Sequence, residues 1–379
     1  MKKTRTTPYV VNYDKSILIS YLALALFGLL TMLNITSVQG SMGYFYKQLV
    51  FLVMAILAMV FIVLYPNLEK LKRLSILLVV VAIVMLVAVL VMGINVKGAT
   101  RLLKLGPISF QPSFLARLAL VFYYAYYLEK KREEIKEKNI QQLIPTLIPL
   151  MACTGLIYLL ILIENHMSTL VISGGTLLCL LFYAGLRKRF IAGVLIVGLI
   201  GGIGILTFGE SFRMKRIEIY KKYNLFIRQD NAQTTAADEY QVKESLAALS
   251  SGGLFGTGIA RGRAKHYYLP EARTDYVFTI IGEEMGFLGA IILFGLQCLL
   301  FFKSFKLAES QESFFLKYLC AGVAMNIFFN ALVNIGVSIS ILPPTGNTLP
   351  FVSYGGSALM MDSIGVGIIL NISATRRYV

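Results

Sequence analysis

Long apolar runs separated by short polar clusters dominate this chain. The runs cover residues 17–38, 45–65, 74–95, 113–129, 145–163, 167–185, 188–208, 276–302, 314–341 and 350–373. An α-helix needs roughly 20 apolar residues to cross a bilayer, and each run approaches that length, the fourth being the shortest. The pattern predicts an all-α membrane protein: a single polytopic domain over residues 1–379 with about ten transmembrane helices. One polar stretch is much longer than the others, residues 209–275. Within it Val242, Leu246 and Leu249 recur at helical spacing, which predicts a short helix lying on the membrane. The segment Ser250–Gly258 that follows is rich in glycine. It lacks the Gly-Lys-Ser/Thr of a nucleotide P-loop, so a tight re-entry turn is expected there.

The loops give the orientation. Lys and Arg collect on the cytoplasmic side because positive charge resists translocation. They cluster at Lys2, Lys3 and Arg5, at Lys70, Lys72 and Arg73, at 130–138, at 187–189, at Lys303 and Lys306, and at Arg376 and Arg377. Both termini and the even-numbered loops are therefore expected inside, with 209–275 as a large extracytoplasmic loop between the seventh and eighth spans. That loop holds eleven Lys/Arg and eight Asp/Glu, and its length lets it cross regardless of charge. The short third loop is an exception, with Lys97, Arg101 and Lys104 on the disfavoured side. They are either snorkelling to lipid headgroups or waiting for an anionic partner.

Composition adds three points. The chain is 57% hydrophobic and 15% charged, well below the quarter of charged residues usual in soluble proteins. Its net charge of +16 is spread over many membrane edges, so it forms no continuous face for nucleic acid. The four cysteines, Cys153, Cys179, Cys298 and Cys320, lie in apolar runs without metal or redox spacing and are expected to pack as small hydrophobes.

Candidate chemistry gathers on the outer side. Arg213 and Arg216 stand at i, i+3 and share a face if helical; paired guanidiniums suit a phosphate or pyrophosphate, or are a solvated helix edge. Asp275 closes the long loop at the N-terminal edge of the eighth span, where it can serve as a helix cap. Glu283 and Glu284 follow about two turns below. Arg117 lies in the fourth span and Asp362 near the middle of the tenth. Intramembrane charges usually face the bundle interior and pair, and Arg117 with Glu283 or Glu284 is one expected pairing, able to support a site from below. The stretch from Leu342 to Ser357, LPPTGNTLPFVSYGGS, breaks the helix near the outer surface. Such backbone is tolerated only when buried in protein or lining a wet cavity.

At this last stretch the chain resembles the SEDS family, the polytopic proteins of bacterial elongation, division and sporulation. Gly98-Ala99-Thr100-Arg101, Gln111-Pro112-Ser113, the Arg213/Arg216 pair, Tyr240 through Gly258, Pro270-Glu271 with Thr274-Asp275, and Glu283-Glu284 with Gly286 match the family's ordered motifs from about residue 90 to the end. The resemblance implies a glycan-strand polymerase acting on lipid II, a disaccharide-peptide on undecaprenyl pyrophosphate, at the outer face of the bacterial cytoplasmic membrane. It implies Asp275 as general base. Arg101, Lys104, Arg213, Arg216, Arg273, Ser353 and Ser357 are the implied substrate contacts, and Arg117, Glu283 and Glu284 the supporting charges. A divalent cation, Mg or Mn, can share the pyrophosphate charge, although no ligand cluster stands out. A class B penicillin-binding transpeptidase is the implied partner. The Asn347-Thr348-Leu349-Pro350 version of the motif leans toward FtsW-like members.

Four positions depart from the family pattern. Leu102 stands for its Trp and Phe114 for its acidic residue. Glu164-Asn165-His166-Met167-Ser168 stands where Pro-Asp and Gly are usual, and Arg273 where His precedes the aspartate. His166 is either a satisfied membrane-edge histidine or a substrate contact. Two other functions fit ten helices with buried charges: a flippase for the same lipid, and a non-catalytic scaffold of the cell-wall synthesis complex.

Overall fold

A computed structural model describes residues 8–38, 40, 42–96, 99–106, 108–137, 140–208, 211–224 and 236–378. The apolar runs are helices, close to the predicted bounds: α1 (Lys15–Val38), α2 (Met42–Leu64), α3 (Ser75–Met92), α4 (Pro112–Lys130), α6 (Ile140–Ile163), α7 (Met167–Tyr183), α8 (Lys188–Phe208), α11 (Val277–Glu309), α12 (Phe314–Ser338) and α13 (Gly356–Ser373). Shorter helices are α5 (Arg132–Glu137), α9 (Ser211–Tyr223) and α10 (Ala236–Gly252). Among the described residues seven helices are long and apolar enough to cross a membrane: α1, α2, α3 with the 3-10 turn before it, α6, α11, α12 and α13; α7 is a shorter apolar helix. The helix α4 carries Arg117, Glu129 and Lys130 and is buried over most of its length. It is therefore an interior helix, and this is why its apolar run reads as the weakest.

Two features are β-sheets. Strand β1 (Pro8–Asn12) pairs antiparallel with β5 (Thr375–Tyr378), so both ends of the described chain lie on one side of the bundle. The third loop is a small antiparallel sheet rather than a plain connection, formed by β2 (Ile94–Val96), β3 (Ala99–Leu105) and β4 (Ile108–Phe110) in the order β2-β3-β4. The third apolar run thus ends as helix at Met92, and its last residues belong to β2.

The centre of the bundle is α12, with 78% of its apolar window buried. Helices α4, α7, α11 and α13 pack around it. The helix in the long loop, α10, is a layer of the protein rather than a helix floating on lipid. Val242, Ser245 and Ala248 are its buried face, and Ser245 shares a hydrogen bond with Thr279 of α11 at 2.7 Å.

The glycine-rich segment after α10 is a turn, as its composition predicts. Thr257 N–H and Gly258 N–H donate to the carbonyls of Glu283 and Glu284, and Phe287 N–H and Leu288 N–H donate back to the carbonyls of Gly253 and Leu254. These bonds break α11 at Gly286, whose φ of 64° and ψ of −164° are outside helical space. A Cβ there would stand 2.3 Å from the Gly256 nitrogen. This backbone region is essentially reserved for glycine, and forcing another residue into it costs about 1–3 kcal/mol before any clash. Gly286→Ala is therefore expected to lower the stability of the purified protein by about 3 kcal/mol, read as a fall in thermal unfolding midpoint in detergent. An unchanged midpoint would show that the kink does not depend on this glycine.

Candidate active site

The long loop returns to the bundle at Asp275, and the return is fixed by backbone hydrogen bonds. Thr274, Asp275 and Tyr276 all donate N–H to the Glu271 carbonyl, and Glu271 adopts φ 56° to allow it. Asn334 of α12 donates its Nδ2 to the Asp275 carbonyl at 2.9 Å. The cap position of α11 is Tyr276, with no side-chain cap, so the capping role open to Asp275 is not the one it takes. Its carboxylate instead faces Gly346, 3.5 Å from where a Cβ on that residue would stand. Gly346 has φ 72°, which brings the chain past the carboxylate without a side chain.

Asp275 and Arg216 line the same cavity, of about 300 Å³. Its walls come from α9, α10 and the 344–346 segment. Arg216 donates Nη1 to the Pro344 carbonyl at 3.0 Å. Burial lowers its pKa, the negative Asp275 opposes that shift, and the positive charge of Arg101 adds to it. An arginine stays protonated through such shifts, so cation and carboxylate share one partly enclosed space. The phenol of Tyr276, on the same wall, is pushed up by burial and by the Asp275 charge.

The other sequence candidates separate into three groups. Arg101, on β3 and half-buried, is close enough to Arg216, Glu164 and His166 for its charge to act on all three. Arg213 lies on α9 one turn before Arg216, but its side chain is outside the described residues, as is Lys97. Lys104 is exposed on β3 opposite Ser109, away from the cavity walls. Arg273 is also engaged elsewhere: its guanidinium stacks over Tyr44 at 3.9 Å, and its carbonyl accepts from Tyr354 N–H at 2.8 Å.

Ser353 and Ser357 fasten backbone segments to one another. Ser353 Oγ donates to the Thr274 carbonyl at 2.6 Å and accepts from Leu349 N–H. Ser357 Oγ donates to the Ser109 carbonyl and accepts from Gln111 N–H. Both are buried. Non-helical backbone inside a bundle needs donors and acceptors from side chains, and these hydroxyls supply them.

The expected pairing of Arg117 with Glu283 or Glu284 is corrected. Arg117 pairs with Asp362 at 3.2 Å, both nearly inaccessible. Glu283 and Glu284 face the segment after the glycine turn and accept from its backbone N–H groups. Glu283 accepts from Arg263 and Ala264 N–H, and Glu284 from Ala260 and Gly262 N–H. Glu284 also pairs with the fully buried Lys265 at 2.6 Å and takes a hydrogen bond from Asn34. Sequence reading missed Lys265; a basic residue beside two adjacent glutamates in the fold carries no local signal. It also missed Gly346 and Thr345, whose place in the cavity depends on the path of the chain.

The turn between α6 and α7 is the last part of the site. His166 is a satisfied buried histidine: its Nδ1 lies within 2.8–3.0 Å of Thr169 Oγ1, Ser113 Oγ and Gln111 Nε2. Burial holds it neutral, with a pKa lowered to about 3. Glu164 is 1% exposed, and neither carboxyl oxygen has a hydrogen-bond partner among the described residues. Burial raises its pKa to about 8, against the pull of Arg101. Two residues past His166, Ser168 Oγ donates to the Thr345 carbonyl at 3.2 Å, tying this turn to the cavity wall. Among the described residues no three His, Cys, Asp or Glu side chains gather as a metal-holding set.

Known proteins similar to this chain fall in one family. The FtsW/RodA/SpoVE cell cycle protein family model matches residues 14–378. A Geobacter sp. (strain M18) protein named "Probable peptidoglycan glycosyltransferase FtsW" is 36% identical over 291 residues, 76% of each chain. A protein of the same name from Trichlorobacter lovleyi is 32% identical over 373 residues, 96% of this chain and 94% of its own. Among solved structures, a chain of a peptidoglycan synthase complex that coordinates polymerization and crosslinking superimposes with a TM-score of 0.77 at 25% identity, covering 96% of this chain and 98% of that one.

The Glu164 and His166 shifts have opposite signs. Between pH 4.5 and about 8 the unfolded chain releases the Glu164 proton and the folded chain keeps it, so stability drains away as pH rises. His166 contributes stability above its unfolded pKa of 6.5, lost as pH falls toward 3. Glu164→Gln removes only the first effect. Its stability relative to wild type is expected to rise between pH 5 and pH 8 by on the order of 2 kcal/mol. Thermal unfolding of both proteins at the two pH values checks it; a difference independent of pH would mean that Glu164 is ionised in the fold.

Proposed function

Because the chain belongs to the FtsW/RodA/SpoVE family, we propose that it is a peptidoglycan glycosyltransferase of the bacterial cytoplasmic membrane, which joins lipid II units at the outer face during cell division. The observation that carries this reading is the shared cavity of Asp275 and Arg216 where the long loop meets the bundle. A carboxylate and a guanidinium in one partly enclosed space are what glycosyl transfer from a diphosphate requires.

In the proposed step the Asp275 carboxylate takes the proton from the acceptor's sugar hydroxyl. The hydroxyl oxygen bonds to the anomeric carbon of the donor. The bond from that carbon to the diphosphate oxygen breaks, and its electron pair leaves with undecaprenyl pyrophosphate. Attack opposite the leaving group inverts the configuration. Arg216, with Arg101 and Arg213 as further candidates, holds the diphosphate as its charge grows, an interaction stronger in the transition state than in the ground state. Both termini are assigned to the cytoplasm and 209–275 to the outside in a single polytopic domain. The charge distribution of the loops and the pairing of β1 with β5 support this. A class B penicillin-binding transpeptidase is the proposed partner, because the related complex couples polymerization to crosslinking.

A flippase has less support. The buried charges Arg117, Asp362, Lys265 and Glu284 are engaged with one another, while the cations around Asp275 gather at one end of the bundle.

Purified protein supplied with lipid II, with and without a class B penicillin-binding protein, is expected to make glycan strands. Asp275→Ala should lower the rate about 100- to 10,000-fold, the usual contribution of a positioned base. Arg216→Lys keeps the charge but loses the planar fork, and should cost about tenfold or more in kcat/KM. Polymerisation by Asp275→Ala at the wild-type rate would sink the assignment of the base.

A further inference from the structure

The Arg117–Asp362 pair lies deep in the bundle, yet it is joined to Asp275 by a continuous line of hydrogen bonds. Asp362 Oδ1 accepts from Arg117 Nη2 at 3.2 Å, and its Oδ2 accepts from Asn330 Nδ2 at 3.4 Å. Asn330 Oδ1 accepts from Asn347 Nδ2 at 2.7 Å, and the Asn330 carbonyl accepts from the same nitrogen at 3.1 Å. The Asn347 carbonyl accepts from Asn334 Nδ2 at 2.5 Å, and that nitrogen also donates to the Asp275 carbonyl at 2.9 Å. Asn330, Asn334, Asn347 and Asp362 are all at most 4% exposed, so water does not replace these bonds.

The line has a direction. A carboxylate accepts on both oxygens, whereas an amide accepts on one atom and donates on the other. An ionised Asp362 therefore turns the Asn330 amide so that its nitrogen points to the carboxylate and its oxygen to Asn347. That oxygen holds Asn347, which follows Gly346, the residue facing the Asp275 carboxylate. Resting on the glycosyltransferase reading above, we propose that Asp362 is a positioning residue for the reaction: through the Asn330–Asn347–Asn334 line it sets both the Asp275 backbone and the 344–347 wall opposite its carboxylate. Arg117 keeps Asp362 ionised where a lone carboxylate would take up a proton.

Asp362→Asn is nearly isosteric and reverses the signal. With its oxygen toward Arg117, the new amide presents its nitrogen to the Asn330 nitrogen, and donor meets donor. Asn330 must turn over and offer its own nitrogen to Asn347. Misplacement of a reacting group by as little as an ångström costs about 100-fold. In the lipid II assay the D362N chain is expected to lose about tenfold to 100-fold in kcat, with KM changed less than about twofold. The double variant D362N/N330D restores the polarity. Its carboxylate, now on α12, accepts from Asn347 and from the new amide on α13, and that amide accepts from Arg117. It should recover most of the lost kcat. Asn347→Ser leaves the ion pair intact but is too short to bridge, and should lose kcat similarly; it serves if D362N does not accumulate as folded protein. Each variant is compared as the monodisperse fraction at equal concentration. A folded D362N or Asn347→Ser chain with wild-type kcat would overturn the inference, as would a folded double variant no better than D362N. If wild type and every variant make no glycan, the proposed function itself fails and this inference with it. Active wild type beside an equally active D362N removes only the inference.

Discussion

Backbone that leaves the helix inside a membrane bundle must find every hydrogen bond from protein, because lipid offers none. In this chain that demand falls on residues 339–355, between α12 and α13, and much of the surrounding structure answers it. Gln48 on α2 donates to the Ser353 carbonyl, Gln297 on α11 to that of Pro350, Asn224 to that of Ser340, and Arg216 to that of Pro344. Phe351 adopts φ 66° and packs edge-on against Tyr21. Gly28 lets α1 come so close that a Cβ would meet the Phe351 carbonyl at 2.6 Å. Polar residues scattered along several apolar helices thus converge on one irregular strand of chain.

That convergence builds the site. Helices alone would bury every backbone group and leave a smooth outer rim. The broken segment instead brings Pro344, Thr345 and Gly346 across from Asp275, while the long loop supplies Arg216 on α9 and a further wall in α10. The same logic governs the loop's far end, where Glu283 and Glu284 collect the N–H groups of 260 and 262–264. Carboxylates placed in a membrane helix serve here as acceptors for a neighbouring loop.

Much of this was legible from the pattern of residues. Apolar length placed the helices, and only α4, whose Arg117 and flanking charges mark an interior helix, read weakly. The pair of turns at Gly252–Gly258 and Leu342–Ser357 was visible as glycine and proline. Less legible was which partner each polar side chain takes. Arg117 meets Asp362 across 245 positions, and nothing local distinguishes that choice from Glu283. Ser353 and Ser357 sit in the most distinctive stretch and so read as substrate contacts; their hydroxyls are needed by backbone that the same prolines and glycines had broken. The column of asparagines had a signal available. Asn330 and Asn334 stand at i, i+4 on one face of α12, with Asn326 a turn before and Ser338 a turn after, and amides facing a bundle interior need partners. The three-stranded sheet at 94–110 was hidden because its strands are three to seven residues long and abut helices.

The pairing of Arg117 with Asp362 has an electrical consequence. A voltage across the membrane acts on net charge, at about 2.3 kcal/mol per elementary charge per 100 mV. A lone ion at that depth would be pulled along the field, and its protonation would follow the energisation of the cell. The pair presents no net charge, so the field can only turn it, and its close contact resists turning. Asp275 stands just before the first residue of α11. The polar column therefore joins a carboxylate at the edge of the helices to a pair that its own neutrality insulates from the membrane voltage.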